Sequence, residues 1–100
     1  MGINFYSTGD LLALIGSRAK ERRLGYGLRQ ADLAERAGVS ISAIRRFEAG
    51  QSIGFDAIVS IALALRAEKG FLDLFPPTDP RSFQQILDSQ KKRVRARKRS

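Results

Sequence analysis

The stretch LRQADLAERAGVSISAIRRFEAG, residues 28–50, holds two short helical phrases separated by Ala37-Gly38-Val39-Ser40. Neither phrase is long enough to stand alone, because isolated helices under about 12 residues are marginal in water. Each must be held by the other and by a core around them. Gly38 follows the first phrase as a left-handed stop, and Ser40 precedes the second as an N-cap.

A short helix, a glycine-containing turn and a second helix crossing the first make a helix-turn-helix unit. Ala34 falls where the two helices approach most closely, so a small side chain is expected there. Leu33, Val39, Ile44 and Phe47 are expected to point inward. That leaves Ile41, Ser42, Arg45, Arg46 and Ala49 on the outer side of the second helix. A small hydroxyl, an aliphatic group and two guanidinium forks suit the major groove, where Arg pairs with guanine and apolar groups meet thymine methyls. On an arbitrary helix the same two arginines would be an ordinary solvated face.

The rest of the chain reads as helical, with no convincing period-two alternation. Thr8 is expected to cap a first helix carrying Leu11, Leu12, Leu14, Ile15 and Ala19 at helical spacing, closed by Gly25 and Gly27. A fourth helix is expected over about 55–65, with Phe55, Ile58, Val59, Ile61, Ala62 and Leu65 forming a wide buried face. A short fifth helix is expected over about 68–74, with Phe71, Leu72, Leu74 and Phe75 inward. Pro76-Pro77 and then Pro80 stop it. A last helix beginning near Arg81 carries Phe83, Ile86 and Leu87.

The net charge of +8 is concentrated at one end. Lys91, Lys92, Arg93, Arg95, Arg97, Lys98 and Arg99 contribute seven positive charges, and the 11 basic and 10 acidic residues before them nearly cancel. Such a block binds phosphate backbones without reading sequence, or simply solubilises the chain. The chain has no cysteine and no histidine. It therefore lacks a disulfide framework, a thiolate zinc site, a Cys nucleophile and the commonest general base. No enzyme, metal or cofactor is expected. Neither a signal peptide nor a run long enough to span a membrane is visible, so the expected setting is soluble and cytoplasmic, on the nucleoid.

From about residue 12 to 65 the chain resembles the phage-repressor-like helix-turn-helix family, the Cro and repressor type of five-helix domain. The resemblance rests on Leu28-Arg29-Gln30-Ala31-Asp32-Leu33-Ala34, on Ala37-Gly38-Val39-Ser40, on Ile44-Arg45-Arg46-Phe47-Glu48-Ala49-Gly50, and on Leu63-Ala64-Leu65. It implies an all-α domain; with the proline stop and the basic block, the expected division is a domain over 1–76, a hinge and short C-terminal helix over 77–90, and a basic tail over 91–100. It also implies a homodimer that represses transcription from a palindromic double-stranded DNA operator. By this resemblance Ile41, Ser42 and Arg45 read bases, while Arg29, Gln30, Ser40, Arg46 and Arg23 contact phosphate. Arg23 and Glu48 match a structural ion pair. Position 29 carries Arg where the family uses a Thr or Ser cap, and Asp32 and Glu35 read as solvent-facing charges.

A narrower similarity lies further on. Phe71-Leu72-Asp73-Leu74-Phe75-Pro76, the proline hinge, a Phe-x-x-Ile-Leu helix and the Arg-rich end look like HipB-like antitoxins, which bind their operator and hold a HipA-type toxin kinase. A prophage or restriction–modification regulator of the same fold is the near alternative. A module that mainly docks a partner protein through 71–90 is the alternative from another class.

Overall fold

A computed structural model of the chain describes residues 6–78 and, beyond them, residues 81, 85, 87 and 88. Residues 6–78 form five helices and no strand: α1 (Thr8–Gly25), α2 (Gln30–Ala37), α3 (Ile41–Glu48), α4 (Phe55–Ala64) and α5 (Lys69–Leu72). The fold is all-α, as the periodicity led us to expect. Arg81, Gln85, Leu87 and Asp88 are helical. The expected roles of Phe83, Ile86 and the basic tail lie outside the described residues.

The start of α1 differs from the sequence reading. Ser7, not Thr8, is the N-cap: Ser7 Oγ accepts from the Asp10 N–H at 3.0 Å, and the Asp10 carboxylate accepts from the Ser7 N–H at 3.0 Å. The reciprocal bonds satisfy two backbone donors, whereas a cap at Thr8 would leave Asp10 one residue out of register for the return bond.

α1 also faces the core with an unexpected stripe. Leu11 and Ile15 are exposed, while Gly16 and Arg23 are buried and Leu12 and Ala19 on the same side are half-buried. The reason is the closeness of the α1–α3 crossing. A Cβ at Gly16 would collide with the backbone carbonyl oxygen of Phe47. One turn earlier on α1, Ala13 meets Gly50, where a Cβ would lie 3.1 Å from the Ala13 Cα.

The turn residues behave as their chemistry demands. Gly38 takes φ +71°, which lets the Val39 N–H reach back to the Ala34 carbonyl at 3.0 Å. Ser40 Oγ accepts from the Ala43 N–H at 3.0 Å and so caps α3. With the turn set, α2 packs on α3 and α4 while α1 packs on α3. The core is Leu33, Ala34, Ile44, Phe47, Ile61 and Leu65, with Val39 and Ile58 partly buried against it. Burying each large apolar side chain is worth roughly 1.5–3 kcal/mol relative to exposure. The five of that kind are the main force holding two helices too short to persist alone.

The far end of α4 is closed by an arginine. Arg22 Nε donates to the Leu65 carbonyl at 2.7 Å and Nη2 to the Arg66 carbonyl at 2.8 Å. These carbonyls end the helix without an intrahelical partner, and a cation there also suits the helix dipole.

α5 is one turn long and buries less than its composition suggests. Phe71 is half-buried and meets Phe55 edge to face, ring centroids 5.7 Å apart. Leu72 and Phe75, expected inward, are 80% and 90% exposed, and Leu74 is exposed as well. Four helical residues present only one side to a neighbour, and Phe75 at φ +54° then turns the chain away into Pro76-Pro77. On α4 the wide buried face narrows to Ile61 and Leu65, with Phe55 exposed at the helix start. No helix among the described residues is long and apolar enough to cross a membrane.

Candidate nucleic-acid interface

α3 is positioned by its inner side. Ala43, Ile44 and Phe47 are buried, so Ile41, Ser42, Arg45, Arg46 and Ala49 form a continuous outer surface. Ile41 is partly shielded at 38% exposure and the others are open. No acid occurs in the first turn of α3, and both arginines lie in its second half. Among the described residues the Arg45 side chain has no hydrogen-bond or ion-pair partner. Arg46 Nη1 donates to Ser42 Oγ at 3.1 Å.

Behind this surface lies a buried charge cluster. Arg23 Nε and Nη2 donate to the two Glu48 carboxylate oxygens at 2.6 and 2.9 Å, and Nη1 donates to the Leu28 carbonyl at 2.8 Å. Gln30 Nε2 donates to Glu48 Oε1 at 3.1 Å. The cluster ties α1, the α2 N-terminus and the end of α3 together. Burial pushes the Glu48 carboxyl up, but hydrogen bonds from Arg23 and Gln30, with the Arg23 charge, outweigh it and hold the group below its usual range. The hydrogen bond to Glu48 raises Arg23 against the opposing effect of burial. Both groups are therefore charged at neutral pH.

Of the two roles expected for Arg23, this placement favours the ion pair with Glu48 over a phosphate contact. The residue is 6% exposed, and each of its three nitrogens already donates within the protein. Freeing it would leave a carboxylate buried and unpaired. Gln30 is half-buried, with its amide turned to Glu48. Ser40 is exposed, with its hydroxyl oxygen engaged in the α3 cap.

Arg29 sits at the α2 N-cap and is exposed, but Asp32 holds it. The Asp32 carboxylate accepts from Arg29 Nε at 3.1 Å, Arg29 Nη2 at 2.9 Å and the Arg29 backbone N–H at 2.8 Å. The hydrogen bonds from Arg29 pull Asp32 down to about 2. Asp32 is thus half of a capping arrangement and more than a solvent-facing charge. An acid three residues after an N-cap is a readable signal, obscured here because Arg29 is not a capping residue. Gly16 carried no such signal, since only the crossing helix reveals why a side chain is excluded.

A family model described as helix-turn-helix matches residues 20–71, over half the chain. The comparison with curated proteins returned no match. The matched span begins in the second half of α1, ends within α5 and contains the turn, the outer face of α3 and the cluster that braces it. The chain belongs to the helix-turn-helix family of DNA-binding transcription regulators, of the Cro and repressor type.

Proposed function

We propose that the protein is a sequence-specific repressor that binds a palindromic operator as a homodimer. The observation that carries this reading is the two-sidedness of α3: three buried residues lock its inner side while Ile41, Ser42 and Arg45 stand open on the outer. In this reading Arg45 makes a bidentate guanine contact, worth about 1–3 kcal/mol of discrimination. Arg29, Gln30 and Arg46 serve the phosphates beside it, and Ser40 marks the near edge of the contact. Two copies would place their α3 helices in successive major grooves, with half-sites about 10 base pairs apart. The basic tail would add affinity for any DNA and steepen the salt dependence. The place of action would be the cytoplasm, on the nucleoid.

Selection of bound sequences from a random DNA pool tests this directly. Enrichment of an inverted repeat, with one base pair per half-site losing its preference in Arg45→Ala, is the expected result. Enrichment of no sequence would remove the reading.

Exposure of Leu72 and Phe75 favours a second element, a protein partner docked on the segment after α5. In the antitoxin setting that partner is a HipA-type kinase encoded beside this chain. Co-purification with the neighbouring gene product, lost in Leu72→Asp/Phe75→Asp, is expected. Equal recovery with wild type and variant would separate the segment from partner binding.

A further inference from the structure

We propose that Ser42 acts on DNA through Arg46: its hydroxyl positions the Arg46 guanidinium and does not itself read a base. The inference rests on the operator-binding reading above and deepens it. Ser42 and Arg46 are four residues apart on α3, so they share one face a turn apart. Helical side chains lean toward the N-terminus, which brings the Arg46 side chain back over the turn that carries Ser42. The hydrogen bond from Arg46 Nη1 to Ser42 Oγ, 3.1 Å long, fixes it there.

Two consequences follow from the chemistry of the fork. A free arginine samples many rotamers, and ordering it on DNA costs entropy that a pre-anchored one has partly lost already. The anchor uses Nη1 only, so the Nε–Nη2 edge stays open for two parallel hydrogen bonds to an acceptor pair. Among the described residues no acid pairs with Arg46: Glu48 is engaged by Arg23 and Gln30, and Asp32 by Arg29. Arg45 lacks any such anchor among the described residues. The two arginines of α3 therefore differ in preparation, one held before DNA arrives and one ordered on contact.

The test is a double-mutant cycle on the operator selected by the wild-type protein. Full-length wild type, Ser42→Ala, Arg46→Ala and the double variant are titrated against it, with thermal melts to verify folding. Ser42→Ala is expected to weaken binding about threefold, at the low end of couplings between contacting residues. The double variant should be no weaker than Arg46→Ala, and Ser42→Thr, which keeps the hydroxyl, should bind like wild type. Full additivity of the two changes, or a Ser42→Ala protein equal to wild type, overturns the proposal. A wild type that enriches no sequence refutes the operator reading and the positioning role with it, a result distinct from additivity in a protein that does select DNA.

Discussion

Arg23–Glu48 and Arg29–Asp32 are the same chemical pair in two surroundings. In the first, the side chains are 7% and 4% exposed and join α1 to the end of α3; in the second they are 80% and 29% exposed, three residues apart at the tip of α2. Hydrogen bonding from the arginine lowers both carboxyls. Their weight in the fold differs because water competes for the exposed pair and is excluded from the buried one. A buried pair is an obligation of the structure: each member is costly without the other. The exposed pair instead holds a side chain in place.

The largest break in this comparison is Glu48→Ala, which strands the Arg23 charge in the interior. A loss of about 3–5 kcal/mol of stability is expected, read as a fall in denaturation midpoint at unchanged slope. Replacing both partners, as Arg23→Met/Glu48→Leu, should cost far less than either single change if the penalty lies in the stranded charge. A double variant as unstable as Glu48→Ala would instead assign the cost to lost geometry.

Next in size is the backbone contact beside the buried pair. Gly16→Ala should cost roughly 1–3 kcal/mol, because the Phe47 carbonyl one residue before Glu48 must move to admit a methyl group. The same substitution at Gly25, where an added Cβ meets nothing, should leave a much smaller effect. Equal melts for the two variants would show that α1 does not cross α3 at this distance.

The pH dependence sharpens the contrast further. The folded Glu48 carboxyl titrates below its unfolded value of about 4.3, so its contribution is present above that pH and fades as pH falls through the folded value. Asp32 follows the same sign over a window from about 4 down to about 2, but as an exposed group it is screened. Acid destabilisation setting in as pH falls below the unfolded Glu48 value should shrink in the Arg23→Met/Glu48→Leu variant and persist in Asp32→Asn. Persistence in both would place the acid-sensitive groups elsewhere.

The smallest expected change is Asp32→Asn at neutral pH. The melt should shift less than for Gly16→Ala, and the shift should vanish near 1 M salt, where the screening length is about 3 Å. A shift that survives such salt would mean that the cap on the Arg29 backbone N–H outweighs the ion pair.

The elements that need only local chemistry were legible without the fold. Gly38 at a left-handed turn, Ser40 as a cap, and the opposition of Ile44 and Phe47 to Arg45 and Arg46 follow from backbone sterics and a period of 3.6. From them came the helix-turn-helix unit and the surface it presents. Ser7 was equally readable, through Asp10 three residues on, but Thr8 beside it offered a competing hydroxyl.

What needed the tertiary structure was every role that depends on a neighbour distant in sequence. Gly16 matters because of a Phe47 carbonyl 31 positions away, Arg22 because α4 ends beside it, and Arg23 because Glu48 and Leu28 enclose its guanidinium. A polar side chain's pattern in sequence does not say whether water or protein will satisfy it. Arg23 and Arg45 look alike as residues, and only the packing of α1 against α3 makes one a buried brace and leaves the other exposed.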